Sequence, residues 1–279
     1  MTEMPPGIEK RQVSKITPSG RQAADVYVSI EEPLQINIDG QPVAVLMRSP
    51  GGEKDLAAGF CLSEGLLDHF DEIGVILHCG SSISLPDAEL EDGQESRNIV
   101  NIITTRGEKT RSDPRHEVMR LVRSGCGRVS AGELAETMPP IDAVVQVSQS
   151  VIARLSREVI ASQETYKHAG GVHAVAIFDA AGKLVVVGED IGRHNAIDKA
   201  VGYCLMRRIP LNDKILYSTG RASYEMVSKT VRAGIPTMVS RSSATTLAID
   251  LAEQLNCTLI GYARGDRMNI YTHPERIIA

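Results

Sequence analysis

The chain has 279 residues, 42% apolar and 23% charged, which suits a water-exposed globular protein with room for one or two cores. A net charge of −5, no Trp and three Phe argue against broad nucleic-acid binding, which needs basic surface and aromatic platforms for bases; local basic patches stay possible. No apolar run reaches the roughly 18 residues that cross a bilayer, and the polar start MTEMPPGIEKRQVSK has no signal-peptide core, so a cytoplasmic protein with no membrane partner is expected.

Residues 1–20 read as a loosely ordered leader, and 21–118 as a small α+β domain. Two alternating runs, 34–38 and 43–47, flank Asp39-Gly40, a short-hairpin signal. After the loop SPGG, the spacing of Leu56, Phe60, Leu62 and Leu66 predicts an amphipathic helix that packs Cys61. Residues 80–117 are polar around one strand, NIVNIIT. A capping box, SAGE at 130–133, starts a short helix just after Cys126, so that 119–139 form a loop and helix stopped by Pro139-Pro140. Apolar spacing from 142 to 166 predicts one long amphipathic helix.

From about 140 to 279 strands and helices alternate. GVHAVAIF and KLVVVGED read as strands, followed by three helices (NAIDKAVGYCLMRR, ASYEMVSKTVRA, ATTLAIDLAEQLN) among the strands KILYST, IPTMVS, CTLIGYAR and RMNIYT. This predicts a three-layer α/β domain with a partly parallel sheet.

Five cysteines, Cys61, Cys79, Cys126, Cys204 and Cys257, are widely spaced and never in a CxxC pair, so neither a disulfide framework nor a metal site is expected. Cys126 stands out in RSGCGRVS. Flanking glycines let a large partner approach, Arg123 and Arg128 favour thiolate, and a following helix start pushes the same way. A thiolate attacks and carries sulfur; the plainer reading is a chemically idle loop.

Three stretches share a strand–loop–helix-start pattern: 189–198 with Arg193 and His194, 217–225 with Arg221, and 239–246 with Ser240 and Arg241. A fourth, the hairpin YARGDRMN at 262–269, adds Arg264 and Arg267. In a parallel sheet such loops gather at the carboxyl edge, where backbone N–H groups and arginines bind anions. Together they point to an anionic, nucleotide-like ligand, against ordinary caps with surface arginines. Two lookalikes fail: HCGSS lacks the arginine of a cysteine-phosphatase loop, with Leu85 in its place, and GVHAVA has Val175 where a zinc deaminase needs glutamate. His173 is then a structural histidine or a ligand contact.

The blocks EEPLQINIDGQPVAVLMRSPGGEKDLAAGFCLSEGLL, GGVHAVAIFD, GEDIGRHNAIDKAVG, STGRASYEMVSKTVRAGIPTMVS and LIGYARGDRMNIYTHPERI resemble the formate dehydrogenase accessory sulfurtransferase family, FdhD, from about residue 30 to the end. The resemblance implies an enzyme of the sulfurtransferase class, with a persulfide intermediate on Cys126. It would accept sulfur from a cysteine desulfurase and pass it to the bis-molybdopterin guanine dinucleotide cofactor of formate dehydrogenase. It also implies a cytidine-deaminase-like second domain, a homodimer, and a cofactor segment at Tyr262, Ala263, Arg264, Gly265, Asp266 and Arg267. GDP or a related guanine nucleotide would occupy the same place. One departure is visible: the family's two-cysteine loop keeps only Cys126. Aligned on SGCG, Val129 replaces the second cysteine; aligned on CGRVS, Arg123 replaces the first. The former keeps the persulfide-bearing position and is preferred. The single thiol also motivates an alternative, a cofactor-binding chaperone that transfers no sulfur.

Overall fold

The computed structural model describes residues 4–79, 98–105 and 138–279, with single positions at 132, 135 and 136. Cys126, its arginines, the capping box and the polar stretches around 80–97 and 106–131 lie outside the described residues.

The Asp39-Gly40 signal holds. Strands β3 (Glu32–Ile38) and β4 (Gln41–Arg48) pair antiparallel, and both turn residues take positive φ, as the two-residue turn favoured by right-twisted strands requires. Together with β5 (Ile73–Cys79) and β6 (Ile99–Thr104) they form a sheet in the order β4-β3-β6-β5, with β3 and β6 parallel. Helix α1 (Glu53–Ser63) covers one face of this sheet through Leu56, Phe60 and Cys61.

Preceding it, β1 (Ile8–Thr17) and β2 (Gly20–Ser29) form an antiparallel hairpin. The loosely ordered leader expected at 1–20 is therefore replaced by strand from Ile8 onward. The polar composition of this segment hid it, because β1 is exposed along nearly its whole length and shows no alternation. The long helix expected over 142–166 is also divided. Ile141 is tied to Leu255 by a backbone hydrogen bond of 3.0 Å, Val147–Ser148 forms a short strand, β7, and α2 spans Gln149–Ser162. The Ser148 hydroxyl accepts from Ser150 N–H and starts α2. Gln163 breaks the run, and α3 (Glu164–Ala169) begins anew because the Glu189 carboxylate accepts from Thr165 and Tyr166 N–H.

The larger sheet contains β8 (His173–Asp179), β9 (Leu184–Asp190), β10 (Lys214–Ser218), β11 (Thr237–Ser240), β12 (Thr258–Arg264) and β13 (Arg267–Ile270), in the order β13-β12-β11-β10-β8-β9. Strands β10, β11 and β12 are parallel; β8, β9 and β13 complete the sheet through antiparallel pairs. Period-two alternation divides its side chains between two cores. Val175, Ile177, Leu216, Met238 and Leu259 face α4 (Arg193–Met206), α5 (Tyr224–Arg232) and α6 (Thr246–Gln254). Ala174, Ala176, Phe178, Tyr217, Val239 and Ile260 face α2. The unit is a three-layer α/β/α sandwich. A last strand, β14 (Ile277–Ile278), pairs with β7.

The two units meet where α1 crosses α4. A Cβ at Gly59 would strike the Asp198 carbonyl, and one at Gly202 the Asp55 carbonyl, so only glycine allows this approach. Beside the crossing, Lys229 of α5 is buried with its Nζ 2.8 Å from Asp198 Oδ2, 2.9 Å from Glu64 Oε1 and 2.8 Å from Ser63 Oγ, while Ser63 Oγ donates to Asp198 Oδ1 at 2.6 Å. Burial disfavours the Lys229 charge, but the two carboxylates outweigh it and raise its pKa. Lys229→Met would strand a buried carboxylate and should cost about 3–5 kcal/mol of stability. Gly202→Ala should cost about 1–3 kcal/mol through overpacking. Urea denaturation monitored by circular dichroism would read both.

Candidate anion site at the carboxyl edge of the sheet

Strand direction gathers the expected loops. Strand β9 is antiparallel to β8, and β8 to β10, so β9, β10, β11 and β12 all end at one edge. The start of β8 lies at the same edge: His173 pairs with Asp190, and Val175 with Ser218. Arg193, Arg221 and Arg241 thus emerge side by side from loops after β9, β10 and β11.

Backbone hydrogen bonds lace these loops together. Ser240 is fully buried, and its hydroxyl donates to Gly220 O at 2.7 Å and accepts from Ser242 N–H. Arg241 N–H donates to Ser218 O at 2.8 Å, Ala222 N–H to Ser243 O and Thr245 N–H to Ala222 O. The stem of Arg193 lies on Gly220, where a Cβ would sit 3.0 Å from Arg193 Cδ. His194 Nε2 stands 2.9 Å from Glu225 Oε2 in the first turn of α5.

The hairpin from β12 joins the same group. Tyr262 N–H donates to Ser242 O at 2.8 Å, and Arg264 Nε to Arg241 O at 3.1 Å. Tyr262 takes φ 51°, a left-handed conformation that is strained for a side-chain-bearing residue, at the irregularity between Gly261 and Arg264. Its ring is exposed next to the 240 loop.

The expected residues therefore fall into four groups. Arg193, His194 and Arg241 are half-buried where the loops meet, and Arg221, Tyr262 and Arg264 are exposed around them. Ser240 and Ala263 are buried: the Ser240 hydroxyl is used as a brace, and the Ala263 carbonyl accepts from Tyr217 Oη at 3.1 Å. Gly265, Asp266 and Arg267 form the exposed tip of the β12–β13 turn.

Two features suit this edge to an anion. The N-caps of α4 and α5 carry no side-chain cap bond, whereas α6 is closed by Thr245, whose hydroxyl accepts from Ala248 N–H. Arg193 Nε and Ser223 Oγ, both at these uncapped starts, are shielded from solvent without a hydrogen-bond partner. Unmet donors and positive helix ends together favour a multiply charged anion such as a phosphate chain.

His173 belongs to the same field. Burial, then the charges of Arg193 and His194, hold its pKa below the ordinary value, and its Nδ1 lies 3.5 Å from Thr219 Oγ1. Among the described residues, no three His, Cys, Asp or Glu side chains are grouped to hold a metal ion. Cys61, Cys204 and Cys257 are buried. Burial raises all three thiols, Cys204 to about 11 and Cys257 to about 12, so none of them is a ready nucleophile. Cys61 packs in the smaller core, as expected.

Sequence reasoning passed over several residues that shape the edge: Asp190, Asn195 and Lys199, the brace Ser218, whose hydroxyl accepts from Gly220 N–H, and Glu225. The signal available was an acid directly before Ile-Gly-Arg-His at a strand end.

A model of the FdhD/NarQ family matches residues 29–278. A protein of Sulfurisphaera tokodaii named sulfur carrier protein FdhD is 37% identical over 275 residues, covering 97% of this chain and 99% of the relative. A protein of the same name from Nocardia farcinica is 35% identical over 271 residues, covering 96% and 94%. Among solved structures, a crystal structure from Desulfotalea psychrophila, provisionally assigned as a formate dehydrogenase accessory protein, matches with a TM-score of 0.75 and 28% identity. The match covers 98% of this chain and all of that one.

An anion entering this edge would offset the charges of Arg193 and His194, which after burial hold the His173 pKa down, and would so favour proton uptake on binding. Affinity for sulfate, whose charge is constant over this range, should therefore rise as pH falls below about 7, by at most about tenfold per pH unit for one coupled proton. The slope should flatten in His173→Gln, as read by titration calorimetry in buffers of different ionisation enthalpy.

Proposed function

Because the chain belongs to the FdhD/NarQ family, we propose that it is a sulfur carrier for formate dehydrogenase. In this reading it takes sulfur from a cysteine desulfurase on Cys126 and delivers it to a bis-molybdopterin guanine dinucleotide cofactor held at the carboxyl edge. The observation that carries the reading is the convergence there of two uncapped helix starts and the unpartnered Arg193 Nε, a fit to the phosphates of a guanylated cofactor or of GDP. The names of the relatives support the sulfur-carrying role.

The chemistry divides into two transfers. The Cys126 thiolate attacks the outer sulfur of the desulfurase persulfide; the donor S–S bond breaks, the desulfurase thiolate leaves, and Cys126 carries the persulfide. The outer sulfur then passes to the reduced metal of the bound cofactor, which supplies the two electrons of the new sulfido ligand, and Cys126 returns to thiolate. No second cysteine follows at Val129, so this route uses a single thiol. The chain's own residues bind and orient the cargo: Arg193, Arg221 and Arg241 face phosphate, with the Tyr262–Arg267 segment beside them. Work as a homodimer in the cytoplasm belongs to the same proposal. No helix among the described residues is long and apolar enough to cross a membrane.

Incubation with a cysteine desulfurase and cysteine should add the mass of one sulfur atom to the peptide containing Cys126, reversibly by dithiothreitol. Cys126→Ala should abolish formate dehydrogenase maturation in a strain lacking the chromosomal copy. Retained maturation in that variant would favour the chaperone reading, motivated by the missing second cysteine, and labelling of another cysteine would overturn the assignment of Cys126.

A further inference from the structure

Asp190 ends β9 three residues before Arg193 and is fully buried. Both its oxygens are saturated. Oδ1 accepts from Gly192 N–H and from Asn195 Nδ2, each at 3.0 Å. Oδ2 accepts from Ser49 N–H at 3.1 Å and pairs with Lys199 Nζ at 2.8 Å.

The donors are themselves anchored. Lys199 Nζ also donates to Ser49 O at 2.8 Å and to Glu189 O at 3.1 Å, and Asn195 Nδ2 donates to Met47 O at 2.7 Å. Ile191 N–H reaches Ser49 Oγ at 3.2 Å. One carboxylate thus ties together the last residue of β9, the Gly192 cap, the first and second turns of α4, and the end of β4 in the other unit.

A buried ion pair is often no more stable than an apolar pair of the same volume. What it supplies is a fixed direction. Gly192 has no side chain to cap α4, and Asp190 instead holds the Gly192 N–H from upstream, leaving the following N–H groups of the first turn uncapped. Arg193 and His194 are the first two residues of that turn, one lying on Gly220 and the other against Glu225.

We infer that Asp190, with Asn195 and Lys199, is a positioning group that sets the α4 start and its Arg193 and His194 at the anion site, using the Met47–Ser49 corner of the smaller unit as its anchor. The inference rests on the reading of that edge as a guanine-nucleotide phosphate site. It also makes the smaller unit part of the site's framework, although the anion-facing side chains come from the larger one.

The test is GDP affinity of the full chain by titration calorimetry in a double-mutant cycle. Asp190→Asn should weaken GDP binding about tenfold, and Arg193→Ala/His194→Ala should weaken it at least as much. Adding Asp190→Asn to that double variant should then cost nothing further, because the group acts through those two side chains. A purely structural role would instead add its loss in either background and overturn the inference, as would unchanged affinity in Asp190→Asn. Should that variant not fold, Asn195→Ala takes its place in the cycle: a loss that vanishes in the Arg193→Ala/His194→Ala background supports the inference, and an additive loss or none at all overturns it. Failure is separable from failure of the site: wild type that does not bind GDP, or Arg193→Ala/His194→Ala that binds it as tightly, refutes the phosphate reading itself.

Discussion

The crossing of α1 over α4 is the constraint on which the remaining geometry depends. Two glycines bring the helix backbones into contact, and the carbonyls of Asp55 and Asp198 occupy the space that side chains would take. Helix α4 is consequently packed on opposite sides, against the large sheet through Ala196, Ile197 and Ala200 and against α1 through Gly202. Sliding it by one turn, about 5.4 Å, would put side chains where glycine is needed. Its position along its own axis is therefore fixed, and with it the place of its first turn at the sheet edge.

Buried charge completes what glycine begins. At one end of the interface Lys229 joins Asp198, Glu64 and Ser63; at the other Lys199 and Asp190 hold the Ser49 corner. Each cluster contains a residue from both units, and each ammonium has a carboxylate and further oxygens around it, as burial of charge demands. The apolar cores give the two units their cohesion, while these polar clusters define how they register against one another.

At the carboxyl edge the balance is reversed. Arg193, Arg241, His173 and His194 gather with Glu225 as the acid in direct contact with the group, and unpartnered donors are left at two helix starts. A protein interior satisfies its donors where it can; Thr245 caps α6 in that way, whereas Ser223 at the start of α5 makes no such bond. Helix α1 also starts without a side-chain cap, at Gly52, but the uncapped starts of α4 and α5 lie beside the converging arginines. The buried thiols Cys61, Cys204 and Cys257 are withdrawn from solvent and raised in pKa, so sulfur chemistry at any of them would first require exposure.

Local chemistry and short-range pattern were legible in the sequence. Asp39-Gly40 specified its hairpin because few dipeptides accept two positive φ values, and the alternating strands and helices after residue 170 announced an α/β sandwich by their periods. The arginines were recognisable because each follows a strand and precedes a helix. Tertiary structure alone decided what depended on partners distant in the chain. The leader became a hairpin and the long helix broke at Ser148 and Gln163, since capping and pairing outweighed apolar spacing. Ser240 turned inward to brace Gly220, and Asp190 became a clamp because Ser49, 141 residues earlier, donates to it. Periodicity records which face of an element is buried; it does not record which distant backbone group a buried carboxylate will meet.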